Sequence, residues 1–140
     1  MRKFVLLLTL LAVFNQALFG QPTDNASYFG QIANSIYLAE GGKKCKYPFG
    51  IRSVKVKDFE EARQVCITTI SRRYAAWNAA GKPGQFIQFL GKKYAPTTGV
   101  TVRTANLNAN WAKNVNFFMS KGLTNWGMVI AFENERDKRQ

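Results

Sequence analysis

The sequence predicts a mainly α-helical domain of the α+β class, with about four to five helices and a small β-hairpin or loop after the first of them. Two segments carry apolar residues three or four positions apart, the spacing that places them on one face of a helix. Glycine-containing breaks at residues 41–42 and 81–84 end these two segments. The apolar positions are Phe29, Ile32, Ala33, Ile36 and Tyr37 in the first segment and Phe59, Ala62, Cys66, Ile70 and Trp77 in the second.

The segment that follows the first helix, residues 43–57, breaks the helical spacing. Pro48 and Gly50 interrupt it, and the apolar residues within 51–56 suggest one or two short strands. This segment is the expected hairpin or loop.

A second helix is predicted to begin at Asp58, because Asp58 and Glu61 have the spacing of a capping box. A third, short helix is predicted after the break at residues 81–84. Its apolar residues are Phe86, Ile87, Phe89 and Leu90.

The last third of the chain is less regular. A threonine-rich loop is predicted over residues 95–106, followed by a fourth helix that ends near Gly122. Residues 126–132 fit either a last helix or a strand, and residues 133–140 are predicted to form a charged, frayed tail. The apolar side of the fourth helix comprises Leu107, Trp111, Val115 and Phe118, with Trp111 expected in the core.

Residues 1–20 have the build of a secretory signal peptide. Arg2 and Lys3 supply its positive charge, residues 4–14 form an almost unbroken apolar run of 11, and Gly20 supplies a small residue at its end. A run of that length is short for a bilayer span, so no stable membrane span is expected after cleavage. The mature protein is therefore expected to be secreted or periplasmic.

One domain is expected over residues 21–132, since the 120 residues that remain of 140 after the first 20 suit a single core. Without Arg2 and Lys3 the chain has 18 basic residues against 8 acidic ones, a net charge of +10. Charge of this size attracts polyanions. We expect a monomer whose partner is peptidoglycan or another anionic envelope polymer, and no nucleic-acid-binding module is recognisable.

The chain contains no histidine and two cysteines, Cys45 and Cys66. The absence of histidine removes the Ser-His-Asp and Cys-His nucleophile systems and the commonest metal ligand, and neither a metal nor a cofactor is expected. The cysteines form either one disulfide in an oxidising compartment or two free thiols, and their spacing does not decide between these. Chemistry must therefore rest on carboxylates, hydroxyls and cations.

Glu40 is placed unusually for a surface glutamate, because it shares a helix face with Ile36 and Tyr37. It also lies in the C-terminal turn, where the helix dipole is negative. Desolvation and the dipole both favour the protonated carboxyl group. A glutamate that keeps its proton is what a glycosidase needs to protonate a leaving-group oxygen. The ordinary alternative is a solvated carboxylate bonded to a nearby cation such as Lys43.

Two short runs around Glu40 resemble the lysozyme-like superfamily: residues 36–42, IYLAEGG, and residues 47–51, YPFGI. The similarity is closest to small bacterial and phage proteins of the lytic transglycosylase and phage-lysozyme type, and it extends to residues 110–115, NWAKNV. In that superfamily a helix ends on the catalytic glutamate, and a hairpin or loop with a Gly-hydrophobic step folds back over it. The resemblance implies that Glu40 is the catalytic acid of an enzyme that cleaves the β-1,4 bond between N-acetylmuramic acid and N-acetylglucosamine.

The chain departs from both patterns. Phage-type lysozymes place an Asp and then a Thr soon after their glutamate, whereas no acid lies between Glu40 and Asp58. Lytic transglycosylases have a Gly-Leu-Met-Gln-like step, where residues 49–53 are FGIRS. A missing second carboxylate suits a transglycosylase, in which one Glu acts as acid and then as base while a sugar hydroxyl closes a 1,6-anhydro ring. Hydrolysis stays open if Glu60 or Glu61 reaches the cleft.

Five further residues are candidates for binding the glycan. Tyr47 and Phe49 flank the turn beside the acid, and either stack on a sugar ring or pin the loop to the core. Ser53 either holds a sugar hydroxyl or a water, or faces solvent. Tyr94 resembles a tyrosine that some transglycosylases keep near the acid, with a core tyrosine as the alternative, and Asn110 either caps a helix or binds ligand. The alternative function is a non-catalytic cationic protein that binds cell wall or polysaccharide.

Overall fold

The structure, a computed structural model, describes residues 23–139. That part of the chain consists of helices, turns and loops and contains no strand, which confirms the mainly α class. The predicted export signal at residues 1–20 lies outside the described residues. The helices are α1 (Thr23–Ala39), α2 (Phe59–Ala79), α3 (Phe86–Tyr94), α4 (Val102–Ala109), α5 (Trp111–Met119) and α6 (Trp126–Lys138), and short 3-10 turns lie at Gly42–Lys44 and Pro48–Gly50.

Helix α1 is the centre of the fold and packs against α2, α5 and both 3-10 turns. All five apolar positions predicted for it are buried, and so are its polar Asn34 and Ser35. The Asn34 side-chain amide donates to the Leu123 carbonyl at 2.9 Å, and Gln31 donates to the Met119 carbonyl at 3.2 Å. These bonds tie the turn between α5 and α6 to the central helix.

Helix α2 begins as the sequence predicts. The Asp58 carboxylate accepts a hydrogen bond from the Glu61 amide at 2.8 Å, and the Glu61 carboxylate accepts from the Lys57 amide at 2.6 Å. Together they satisfy two amide groups that the helix start leaves without a partner. The core-facing side of the helix is formed by Ala62, Cys66 and Ile70.

The connection from α1 to α2 is a loop, and the strands suggested for residues 51–56 are not formed. Phe49 and Gly50 both have a left-handed backbone conformation, with φ of 60° and 68°. Two such residues in succession reverse the chain onto α1 and bury the Phe49 ring 5.6 Å from Tyr37 and 5.2 Å from Phe59, centroid to centroid. Residues 51–58 then run to α2 without a neighbouring strand to pair with in the described residues, so they stay irregular.

Two predictions for the second half are wrong. The predicted loop at residues 95–106 ends early, because the Thr101 side chain caps α4 by accepting from the Thr104 amide at 3.2 Å. The predicted fourth helix is divided at Asn110 into α4 and α5, and Leu107, expected on its apolar side, is 69% exposed. For residues 126–132 the sequence left a helix and a strand open, and the structure has a helix there.

The predicted frayed tail from residue 133 is also wrong, because α6 continues to Lys138. Glu133 is 1% exposed and accepts hydrogen bonds from the Tyr37 hydroxyl at 3.1 Å and the Lys43 amide at 2.9 Å. The Arg136 guanidinium lies 3.5 Å from the same carboxylate. Glu133 therefore anchors α6 to the end of α1.

Candidate functional site

The candidate site is built around Glu40, at the end of the central helix. The Glu40 amide donates to the Ile36 carbonyl at 2.9 Å, so Glu40 completes the last turn of α1. Its side chain is half-buried and follows the buried residues Tyr37 and Leu38. The end of the most enclosed helix therefore brings a carboxyl group to the edge of the core.

Trp111, the first residue of α5, holds this carboxyl group. Its indole Nε1 donates a hydrogen bond to Glu40 Oε1 at 3.0 Å, and the ring itself is buried. Because an indole N–H only donates, Oε1 is the acceptor of this bond and Oε2 is not engaged by Trp111. The sequence predicts Trp111 as a core residue, which it is, but not this contact across 71 positions.

Gly50 covers the other side of the same carboxyl group. A Cβ atom at this position would lie 3.0 Å from both the Cδ and Oε1 atoms of Glu40, closer than real Cβ contacts ordinarily come. The φ of 68° is likewise a conformation that favours glycine. Position 50 therefore allows the backbone to approach Glu40 as no residue with a side chain could.

Tyr94 and Cys66 form the layer beneath the Glu40–Trp111 pair. The Tyr94 ring is stacked on Trp111, with centroids 5.3 Å apart and planes inclined by 13°, and its hydroxyl lies 3.3 Å from the Cys66 thiol. Burial raises the pKa of Cys66 to about 12 and the pKa of Tyr94 well above 10, and the nearby Glu40 raises both further. Both groups are therefore neutral at pH 7, and Cys66 is not a thiolate nucleophile.

Two grooves flank this cluster. The Arg52 groove, of about 210 Å³, contains the Gly50 backbone. The Asn108 groove, of about 340 Å³, contains Trp111. The polar side chains of the Arg52 groove are Arg52, Ser53, Thr69, Lys93 and Tyr94, and those of the Asn108 groove are Gln88, Lys92, Thr97, Thr98 and Asn108. Glu40 itself lines neither groove, but it accepts a hydrogen bond from Trp111 of one groove and lies beside Gly50 of the other.

Of the residues predicted to bind glycan, Ser53 and Tyr94 line the Arg52 groove, together with Gly50 beside the acid. Tyr47 is 40% exposed, and its ring lies under the cations of Lys46 and Arg52, at 5.4 and 5.5 Å from its centroid. Tyr47 thus neighbours the groove through Arg52.

The other two predicted glycan contacts are not placed for that role. Phe49 is fully buried against Tyr37 and Phe59, so it pins the loop to the core and is closed to a ligand. Asn110 is exposed at the junction of α4 and α5, lines neither groove, and its side chain does not cap α5. Phe49 is inaccessible because the left-handed turn at residues 49–50 directs its ring inward.

The two cysteines are unpaired. Cys66 is buried against Tyr94, whereas the half-buried Cys45 donates its thiol hydrogen to the Tyr47 carbonyl at 3.2 Å. Of the two alternatives that the sequence leaves open, the structure has the free thiols.

Sequence reasoning missed several residues of the site: Arg52, Thr69, Lys93 and Asn108. Asn108 donates to the Pro96 carbonyl at 2.7 Å and so holds the loop before α4 against that helix. Thr69 lies one helical turn after Cys66, and Lys93 directly precedes Tyr94, so both are close in sequence to residues of the site. Their polar character alone gave no signal, because most polar residues at such positions face solvent.

Residues 23–139 include no group of three or more His, Cys, Asp or Glu side chains that could hold a metal ion. Over the same residues, no helix has both the length and the apolar character to cross a bilayer.

Comparisons with known proteins give no match, whether to family models, to curated proteins or to solved structures. The comparisons therefore show no family for this chain, and the resemblance to the lysozyme-like superfamily stays a prediction from short sequence runs.

Proposed function

We propose that this chain is an exported glycosidase that cleaves peptidoglycan at the β-1,4 bond between N-acetylmuramic acid and N-acetylglucosamine, with Glu40 as its acid. The observation that carries the proposal is the pair of contacts on the Glu40 carboxyl group. Trp111 donates to Oε1 at 3.0 Å, and the Gly50 backbone covers the same group. Because Gly50 lines one groove and Trp111 lines the other, a carboxyl group held by both residues is suited to act on a polymer bound across the two grooves.

The first step of the proposed reaction is proton transfer. Oε2 of Glu40 gives its proton to the glycosidic oxygen, the bond from that oxygen to C1 of the muramyl sugar breaks, and positive charge develops at C1. Trp111 stabilises the carboxylate that forms in this step, because a hydrogen bond to a charged oxygen is stronger than a hydrogen bond to a neutral one. Glu40 then serves as the base for the second step.

The second step is assigned to the sugar's own C6 hydroxyl. The Glu40 carboxylate takes the hydroxyl proton as the C6 oxygen attacks C1, and a 1,6-anhydro end forms. Support comes from the surroundings of Glu40: neither groove beside it is lined by an Asp or Glu, and Glu40 adjoins them only through Gly50 and Trp111. A glycosidase with two carboxylates needs the second one about 5 to 9.5 Å from the first. Glu61 is engaged at the start of α2, and neither Glu60 nor Glu61 lines either groove.

Mass spectrometry of purified sacculi digested by the wild-type chain tests the proposal. We expect released muropeptides with 1,6-anhydro ends. Muropeptides with reducing ends would show that the chain is a glycosidase in which water, and not the C6 hydroxyl, attacks C1.

The second candidate function is a non-catalytic, cationic protein that binds cell wall or polysaccharide. It is favoured by the net charge of the chain, +12 before removal of any signal. It predicts that the protein sediments with sacculi while no muropeptide is released, a result that would contradict the glycosidase.

A further inference from the structure

We propose that the Arg52 groove binds a sugar residue that bears a carboxylate. This inference rests on the proposed function and specifies its substrate: a glycan in which carboxylate-bearing and neutral sugars alternate. The proposal depends on the positions of Arg52 and Lys93. They come from two distant parts of the chain and line the same groove, which also contains Gly50 beside Glu40.

Within the described part of the chain, the two cations have no carboxylate partner of their own. No acidic residue lines the Arg52 groove, and none of the ion pairs within residues 23–139 includes Arg52 or Lys93. Both side chains are exposed, so the groove presents two positive charges to whatever enters it. A carboxylate is the complementary ligand, since guanidinium and ammonium groups form charge-assisted hydrogen bonds with it.

Arg52 is oriented as well as charged. Its guanidinium carbon lies 5.5 Å from the centroid of the Tyr47 ring, within the range of a cation–π contact. Arg52 thus has a neighbour that limits its freedom at the mouth of the groove. Tyr47 acts here as a positioning residue for Arg52.

The Asn108 groove has a different chemistry. It offers amide and hydroxyl groups from Gln88, Thr97 and Asn108, the face of Trp111, and one cation, Lys92. Amides, hydroxyls and an aromatic ring suit a neutral N-acetylated sugar. Tyr94 lines the Arg52 groove, and Trp111, stacked on it, lines the Asn108 groove, so neighbouring sugars bound in the two grooves would meet different surroundings.

Peptidoglycan has this alternation, because only its muramic acid residues carry a lactyl group with its peptide and carboxylates. Chitin, which is neutral throughout, does not. The groove is therefore expected to bind peptidoglycan in preference to neutral β-1,4-linked glycans such as chitin.

Binding to soluble peptidoglycan strands tests the inference, with Glu40→Gln as the background so that strands stay intact. The strands are freed of wall phosphate polymers and used with native carboxylates or with carboxylates amidated by methylamine. We expect native strands to bind about tenfold more tightly than amidated strands, the size of one charge-assisted bond. Lys93→Gln and Arg52→Gln should each reduce that ratio severalfold.

Lys92→Gln is the matched control, because it removes the same charge from the adjacent residue of α3 but in the other groove. It should leave the native-to-amidated ratio unchanged. Equal ratios for the Lys92 and Lys93 variants, equal binding of native and amidated strands, or binding only to strands that keep phosphate polymers would overturn the inference.

Muropeptide release by the wild-type chain from the same native strands reports separately on the proposed function. Carboxylate-dependent binding that requires Lys93, with no release, would refute the glycosidase and support the ligand assigned to the groove. Release of muropeptides, together with a native-to-amidated binding ratio that Lys93→Gln does not change, would refute the groove assignment alone.

Discussion

The environment of Glu40 consists of contacts that its own helix does not supply. Trp111 reaches it from α5, and Gly50 reaches it from the turn after α1. The indole N–H donates to one carboxyl oxygen, and the Gly50 backbone lies so near that a Cβ atom there would be 3.0 Å from that oxygen and from Cδ. The orientation of the acid is therefore set by two residues distant in sequence, and both can be altered without removing the carboxyl group.

Trp111→Phe should slow muropeptide release by about ten- to a hundredfold, because a hydrogen bond to a charged group contributes about 1.5–3 kcal/mol. The phenyl ring keeps the aromatic stacking surface for Tyr94. The measurement is the initial rate of release from purified sacculi, normalised to folded protein.

Trp77→Phe is the control for that variant. Trp77 also donates through its indole nitrogen, to the Gly84 carbonyl at 3.3 Å, but lies apart from both grooves. It should lower the melting temperature without changing the rate. A Trp111→Phe protein that cleaves at the wild-type rate would contradict the role given to the indole.

Because of Cys66, the stability of the fold should depend on pH in the alkaline range. Its pKa is raised from 9.0 to about 12 by burial, so in the unfolded chain the thiol loses its proton at lower pH than in the folded protein. The stabilising contribution is complete below pH 9 and is lost as the pH rises towards 12, at no more than about 1.4 kcal/mol per pH unit. Tyr94 and Tyr37, whose pKa values are also raised by burial, act in the same direction.

The measurement is the free energy of unfolding by denaturant at pH 8, 9, 10 and 11. Wild type should lose stability over this range, and Cys66→Ala should lose less because only the tyrosines still titrate differently in the two states. Identical slopes for the two proteins would show that the thiol is not held neutral by its surroundings.

At the scale of elements, α1 is positioned at its C-terminal end by α6. The buried Glu133 joins three separate groups there: the Tyr37 hydroxyl, the Lys43 amide and the Arg136 guanidinium. Two of these belong to the end of α1 and the 3-10 turn that follows it. The chain before Glu40 and the chain after it are thus held by one carboxylate from the last helix.

Glu133→Gln should destabilise the fold by about 1–3 kcal/mol, since the amide has one acceptor oxygen in place of two and its NH2 group would face a donor, which leaves a buried group without its partner. Glu135→Gln, at an exposed position that pairs with Lys138, should change stability by less than about 0.5 kcal/mol. Denaturant unfolding at neutral pH measures both variants. Equal, small effects would mean that α6 does not depend on the buried carboxylate.

Helices whose faces are apolar were predictable, because spacing alone assigns a buried side. Ala62, Cys66 and Ile70 line the core as expected, and Gly41 and Gly42 end α1 with φ of 112° and 61°. Helix α4 was missed, because its sequence is mostly polar and its start depends on a threonine cap rather than on an apolar stripe.

At the scale of the whole molecule, what the sequence could not supply is the set of long-range polar partners. Glu133 looked like part of a charged tail, and only the folded chain brings it 96 positions back to Tyr37. Trp111 looked like an ordinary core residue for the same reason. Helical periodicity identifies which face is buried, but not which polar group will meet a partner inside it.

The whole molecule combines a cationic surface with one fixed carboxyl group between two grooves. In the proposed function, charge attracts the anionic polymer, the grooves orient its sugars, and Glu40 supplies the proton. Removal of surface charge should weaken binding, whereas removal of the Glu40 proton donor should affect the chemical step alone.

The most direct test of this account compares Glu40→Gln with Glu60→Gln on purified sacculi. Glu60 is an exposed glutamate in the first turn of α2 and takes no part in the contacts with Trp111 and Gly50, so its variant controls for the loss of one negative charge. The measurement is the initial rate of muropeptide release. We predict a loss of about a hundredfold or more for Glu40→Gln, with its melting temperature retained, and the wild-type rate for Glu60→Gln. Release by Glu40→Gln at a rate close to that of wild type would contradict the central claim.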